Sequence, residues 1–297
     1  MKTLFIVNPV AGKGKAKALI PLIQEKMKKK GINYTIKETQ KPREATWLAK
    51  EALKQGYEKV VAVGGDGTIS EVINGLAHTD MVFGIIAAGT GNDVCRTLNI
   101  PFQPDKALEM IFSEEAHPMD LGKINEYYFI NVASMGIDAE IAYWVKNSKK
   151  WFSGTWAYIV SVIKNLWTYR FQEMRIAFDR TYLEGEYLLL AIGNGKYYGG
   201  GMKITPHAKV DDGLFDVCII EKIAKWKVGL LFPVILKGNH VYFKEVKSYQ
   251  TNRICINKTS THIINVDGEI YKTQATPICF SVHPEALRVI YPKIHQC

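Results

Sequence analysis

Apolar and polar positions follow two different periods along the first 120 residues. Thr3–Val7 is a short apolar run, and Ala16–Lys30 after it places Leu19, Ile20, Leu22, Ile23 and Met27 at helical spacing. Tyr34–Glu38 predicts a second strand and Arg43–Gln55 a helix closed by Gly56. Lys59–Val63 predicts a third strand, Ile69–Leu76 a helix and Phe83–Ala87 a fourth strand. Strand and helix in repeated alternation imply a parallel sheet covered by helices, with ligands bound beyond the carboxyl ends of the strands.

From about Asp120 the pattern changes. Short β-like runs dominate: Phe129–Ala133, Tyr187–Gly193, Phe215–Ile220, Val246–Ile256, Ile263–Val266 and Cys279–His283. Helical stretches are expected near 138–147, 154–169 and 225–238. The expected fold class is therefore α/β plus β. An N-terminal Rossmann-like parallel α/β nucleotide-binding domain (1–120) precedes a C-terminal antiparallel β-sandwich domain (121–283) for the substrate. A last strand, Arg288–Tyr291, is expected to return to the first domain, bringing 284–297 with it.

Composition changes this picture little. The 297 residues are 47% hydrophobic and 23% charged, enough for two cores. The longest apolar stretch, Val228 to Leu236, is too short to span a bilayer and is interrupted by Pro233. Met1-Lys2-Thr3-Leu4 leads directly into a strand and does not read as a signal peptide. A cytoplasmic protein is expected. The five cysteines are scattered and never paired as CxxC, so free thiols are expected in place of disulfides or zinc. The net charge of +9 is uneven, with +2 in residues 1–120 (16 basic, 14 acidic) and +7 in the rest (22 basic, 15 acidic). A basic second half would suit anionic surfaces such as phospholipid headgroups or nucleic acid, although ordinary solubility charge is the plainer reading of charge alone. Nucleic acid is not expected as a partner, because no helix carries a basic reading face.

The chemistry concentrates in three glycine-rich loops, each following a strand. In Val61-Ala62-Val63-Gly64-Gly65-Asp66-Gly67-Thr68-Ile69-Ser70-Glu71, a strand turns on two glycines and opens a helix. Such a turn lets the backbone approach an anion and aims free N–H groups at it. Asp66 would repel a bare phosphate and makes sense beside a magnesium ion that bridges phosphates. Asn8-Pro9-Val10-Ala11-Gly12-Lys13-Gly14-Lys15 resembles a phosphate loop, although no Ser or Thr completes the GxxxxGK(S/T) pattern. Ala88-Gly89-Thr90-Gly91-Asn92-Asp93 follows the fourth strand. Three such loops meet at one sheet edge.

These loops resemble the diacylglycerol kinase catalytic domain of bacterial lipid kinases, a group that includes sphingosine and ceramide kinases. The resemblance extends through Gly193-Asn194, Gly199-Gly200-Gly201-Met202, Pro206, Ala208 and Asp212-Gly213-Leu214-Phe215-Asp216 to Asn265-Val266-Asp267-Gly268-Glu269. It implies an ATP- and Mg2+-dependent transfer of the terminal phosphate to a lipid hydroxyl, with diacylglycerol as the first candidate. Asn8, Pro9, Val10, Ala11, Gly12, Thr39, Gly64, Gly65, Asp66, Gly67, Thr68, Ile69, Ser70, Thr90 and Asn92 would hold the nucleotide. Asp66, with Asp93 and Glu269 through water, would organise the catalytic magnesium. Asp267 or Glu269 would be the general base; extended geometry would put both side chains on one face, with the choice between them open. A second, structural metal would use Asp212 and the backbone carbonyls of Lys209 and Leu214, although an Asp-Asp-Gly β-turn is the plainer reading of that segment.

For the lipid, Trp144–Phe171 collects four of the six tryptophans among lysines and an arginine, and Lys222–Lys237 is a similar basic-and-apolar stretch. Both suit peripheral attachment to the inner membrane face, and both are also compatible with core packing. The alternatives are an NAD kinase, which shares the Gly-Gly-Asp-Gly-Thr loop, and a non-catalytic lipid-binding protein on the same fold. Oligomeric state is left open, a homodimer included.

Overall fold

The computed structural model describes residues 2–147 and 169–292. Strand β1 (Lys2–Val7) pairs in parallel with β2 (Asn33–Glu38) on one side and β3 (Lys59–Gly64) on the other. Beyond β3, the parallel sheet continues with β4 (Val82–Ala87). Leu4–Val7 and Val60–Val63 are buried at every position, as expected of strands covered on both faces. The covering helices are α1 (Lys15–Ala18), α2 (Ile20–Lys30), α3 (Glu44–Lys54), α4 (Asp66–Leu76), α5 (Asp93–Thr97) and α6 (Pro104–Ser113). The expected helix over 16–30 is two helices. Pro21 lacks the N–H that a continuous helix needs there, so it stands in the first turn of α2.

The second half is antiparallel. Its strands are β5 (Ala116–Ile124), β6 (Tyr127–Phe129), β7 (Val132–Gly136), β8 (Gln172–Phe178), β9 (Thr181–Gly193), β10 (Phe215–Glu221), β11 (Val246–Thr251), β12 (Arg253–Thr259), β13 (Ile263–Val266), β14 (Glu269–Lys272) and β15 (Ile278–Ile290). Helices α7 (Ile137–Asn147) and α8 (Lys225–Lys237) lie beside them. The run expected as one strand over 246–256 breaks at Asn252. There the Thr251 hydroxyl accepts from the Arg253 N–H, and the chain passes from β10 to new neighbours, β8 and β15. Residues 154–168 of the expected helix over 154–169, and most of the aromatic segment 144–171, lie outside the described residues.

One strand joins the halves. The first part of β15 pairs with β12 and β5, while Arg288 and Val289 pair in parallel with Val82 and Phe83 of β4. Leu287, Val289 and Ile290 belong to the same buried cluster as Phe5, Val61 and Ile85. The expectation of free thiols is corrected here. Cys255 and Cys279 stand opposite each other in the β12–β15 register, Cα–Cα 4.1 Å apart, and form a disulfide. Their separation of 24 residues leaves no local trace in the sequence. Cys95 and Cys218 are buried thiols. Among the described residues no helix is long and apolar enough to cross a membrane.

Candidate active site

The three glycine loops interlock. Asn8 follows β1, donates from Nδ2 to Thr68 Oγ1 (3.0 Å) and accepts the Val10 N–H at Oδ1 (3.3 Å), tying the first loop to the second. Thr39 comes alongside through its N–H to the Val7 carbonyl (2.9 Å). Gly12 has φ +59°, and a Cβ there would fall 2.0 Å from the Ala88 carbonyl oxygen. A Cβ on Gly89 would fall 2.4 Å from Gly65 Cα. Backbones this close exclude every residue but glycine. Asn92, at φ +54°, braces the third loop by bonding both Gly89 N–H (2.9 Å) and Gly89 O (3.1 Å).

Helix α4 begins at Asp66, three residues earlier than the apolar periodicity implies, with Gly65 as its N-cap. The first-turn N–H groups and the positive end of the helix therefore face the loops, where an anion is stabilised. Asp66 Oδ1 accepts the Val94 N–H (3.2 Å), and its other oxygen lies 2.8 Å from where a Cβ on Gly91 would stand. Asp93 Oδ2 lies 3.6 Å from that same point and accepts the Gly200 N–H (2.7 Å). Two carboxylates thus face one small space. Burial, and to a lesser degree the Asp66 charge, pushes the Asp93 carboxyl up to about 6. Its Oδ1 is buried without a hydrogen bond, with Arg96 Nη1 3.8 Å away. A buried acceptor with no donor, close to a second carboxylate, fits a hydrated divalent cation. Among the described residues no group of three or more His, Cys, Asp or Glu that could hold a metal ion is found.

The acidic motif from the other half arrives at this place. Asp267 (φ +49°) and Gly268 (φ +86°) form the two-residue turn between β13 and β14. Glu269 then opens β14, and its Oε1 lies 3.7 Å from where a Cβ on Gly67 would stand. Left-handed turn conformations stand here in place of the strand alternation from which the shared face was expected. Asp267 accepts three backbone N–H groups, from Ile130 (2.7 Å), Asn131 (2.9 Å) and Val132 (3.0 Å). This explains why the run 129–133 is not one strand, since those donors serve a carboxylate and no ladder. Burial pushes the Asp267 carboxyl up to about 6 while the three donors pull it back. Glu269 is exposed.

The other expected residues divide by exposure. Val10, Gly67 and Thr90 are exposed, and Asn8, Pro9, Ala11, Gly12, Thr39, Gly65, Asp66 and Asn92 are half-buried at the rim. Gly64, Thr68, Ile69 and Ser70 are buried. Ile69 is a core residue, and the Ser70 hydroxyl meets Tyr127 OH at 2.5 Å. Asp212 lies elsewhere, where its Oδ1 accepts the Leu214 N–H (3.1 Å) in a side-chain-closed turn. Asp120 grips that turn through Gly213 N–H (2.7 Å) and grips β15 through Glu285 N–H (2.9 Å). Burial, with Asp212 and Asp211 nearby, raises the Asp120 carboxyl, so three acids crowd one turn.

Three contributors were missed in the sequence. Arg96 reaches the Gly91 carbonyl and Asp93, Gly200 donates to Asp93, and Thr97 Oγ1 donates to Asn131 Oδ1 (2.9 Å) across the two halves. Gly200 carried a signal through the Gly199-Gly200-Gly201-Met202 motif, and Arg96 through its place three residues beyond Asp93 on one helix face, whereas Thr97 carried none.

Residues 2–124 match the diacylglycerol kinase catalytic domain, and residues 131–291 match the YegS C-terminal NAD kinase beta sandwich-like domain. The chain is 34% identical over 266 residues to a diacylglycerol kinase of Staphylococcus carnosus (strain TM300), covering 89% of this chain and 87% of that one. It is 32% identical over 267 residues to a diacylglycerol kinase of Bacillus subtilis (strain 168), covering 89% and 88%. The crystal structure of a diacylglycerol kinase from Bacillus anthracis str. Sterne superposes with a TM-score of 0.74 at 25% identity, over 98% of this chain and 97% of that one.

Proposed function

Because the chain belongs to the diacylglycerol kinase catalytic-domain family of lipid kinases, we propose that it transfers the γ-phosphoryl group of ATP to the hydroxyl of diacylglycerol. The observation that carries this reading is the meeting of Glu269 with Gly67, which puts a second-half carboxylate beside Asp66 and the start of α4.

Phosphoryl transfer asks the protein mainly for position and charge neutralisation. The α4 N-terminus and the loop from Asn8 to Gly12 would cradle the phosphates. Asp66 and Asp93 would hold a hydrated Mg2+ ion, which would offset the charge of the triphosphate. Glu269 would accept the proton of the lipid hydroxyl as that oxygen bonds to the γ-phosphorus and the bond to the β–γ bridging oxygen breaks, releasing ADP. Asp267 is a positioning residue. With its oxygens committed to three backbone donors, it fixes the turn that delivers Glu269. A second cation at Asp212, with the Lys209 and Leu214 carbonyls, would relieve the crowding of Asp120, Asp211 and Asp212.

A membrane-facing surface is supported on α8. Trp226 and Leu230, one turn apart, are 67% and 55% exposed, and Tyr242 just beyond is 81% exposed. Lys222, Lys225 and Lys237 flank them, a mixture suited to the lipid–water interface. The test is transfer of radiolabelled phosphate from ATP with Mg2+ to diacylglycerol in mixed micelles, with NAD as the competing acceptor. Labelled phosphatidic acid is the expected product, and label on NAD with none on lipid would overturn the assignment.

A further inference from the structure

A separate cavity of about 560 Å³ opens where the two halves adjoin. Arg96 with Thr97–Asn99 from one half, the segment carrying Lys196, Lys203 and Lys209 from the other, and Tyr291 line it. Four cations face it against one carboxylate, Asp211. That carboxylate already stands among acids, close enough to Asp120 and Tyr291 to raise both.

Arg96 is engaged by the Gly91 carbonyl and Asp93, but the three lysines are not spent on internal ion pairs. Among the described residues, the ammonium groups of Lys196, Lys203 and Lys209 have no ion pair or hydrogen bond. Lys203 Nζ lies over the Tyr197 ring, 5.8 Å from its centroid. Lys196 is half-buried, and its ammonium is pushed down by burial and by the charges of Lys203 and Lys209, with Asp216 acting the other way. Like charges held together in partly desolvated space are unfavourable unless a counter-anion joins them. The framework keeps them together. Lys196 N–H is bonded to Thr97 Oγ1 (3.3 Å), and Lys203 N–H to the Ile235 carbonyl (3.1 Å).

We propose that this cavity is a second ligand site, distinct from the catalytic cleft, for a compact phosphate anion carrying several charges. The cavity is too large for a halide, and lysines with an arginine are the side chains that match phosphate oxygens. Helix α5 lies between the two sites, since Asp93 faces the carboxylates of the cleft while Thr97 and the residues after it line the cavity, and Arg96 borders both. Because its walls come from both halves, the bound anion would clamp them together.

The test uses the full chain and reads binding, so it does not depend on turnover or on the lipid acceptor. Thermal unfolding is followed in saturating ADP, which occupies the cleft, while inorganic pyrophosphate is titrated in. Pyrophosphate should raise Tm, and Lys196→Gln/Lys203→Gln should need about tenfold more for the same rise, ~1.4 kcal/mol. Added salt should weaken the effect in the parent protein. The unliganded Tm of the double variant reports its folding, and Lys203→Gln alone serves if the pair does not fold. Equal pyrophosphate dependence in parent and variant would overturn the site. Vesicles bearing a phosphomonoester lipid form the second arm. Binding to them that is lost in the variant, with no response to pyrophosphate, would give the site to membrane phosphate and overturn the soluble ligand.

Discussion

Asp267 and Glu269 differ by two positions in the chain and should fail in opposite ways when neutralised. In Asp267→Asn the amide cannot accept at both ends. The better flip keeps the carbonyl oxygen on Asn131 and Val132 and turns an NH2 group against the Ile130 N–H. One charge-assisted bond is lost, a buried donor is left unpaired, and two further bonds fall from charged to neutral strength. At roughly 1.5–3 kcal/mol for a charged bond and about 1 kcal/mol for a neutral one, the gross loss is roughly 2.5–7 kcal/mol. Relief of the burial that raises this carboxyl returns part of that, leaving a net loss of roughly 2–4 kcal/mol. For a chain of this size Tm should then fall by about 4–8 °C. Glu269→Gln, at an exposed side chain, should change stability by less than about 0.5 kcal/mol while turnover falls roughly 10²- to 10⁴-fold. Thermal unfolding and micellar kinase assays on both variants decide the matter. If Asp267→Asn melts with the parent protein yet loses as much turnover as Glu269→Gln, Asp267 acts on the substrate and the positioning role is wrong.

Asp93 is raised to about 6 in the folded chain against 3.8 when exposed, so between those values the folded state holds a proton that the unfolded state has released. Its contribution to stability therefore falls as pH rises through about 4 to 6 and stays low above. Asp93→Asn should accordingly raise the metal-free Tm at pH 7.5 relative to the parent, with little change at pH 4 and loss of turnover; a lower Tm at both pH values would refute this. For the Cys255–Cys279 disulfide, whose partners are 24 residues apart, closing a loop of that size is worth ~3 kcal/mol. Reductant and Cys279→Ser should each lower Tm by roughly 5 °C, and a reductant-insensitive Tm together with two extra titratable thiols would contradict it.

The loops were legible because they are local. A strand ending in Gly64-Gly65-Asp66-Gly67 declares its turn, its helix and its ligand chemistry within a dozen residues. Asp267 was identified as acidic and near the reaction, but its role depends on the N–H groups of Ile130, Asn131 and Val132, more than 130 positions away. An apolar run does not show that its donors are diverted to a distant carboxylate. The cysteine pair was hidden for the same reason, since only the β12–β15 register sets Cys255 against Cys279. In β15 the alternation of Phe280-Ser281-Val282 stops at Pro284-Glu285, so its two ends read as unrelated strands. Asp120 carries the chain through the interruption by accepting the Glu285 N–H.

That single long strand makes the enzyme hard to dissect. A fragment ending where the catalytic-domain match ends, at residue 124, would lose one of the two partners of β4 and both partners of β5 together. Two rows of backbone donors and acceptors would be bared along an apolar edge, the usual template for intermolecular pairing. Truncated pieces of this kind should be recovered as aggregates, and grafting either half onto a foreign mate requires carrying the final thirteen-residue strand along with it.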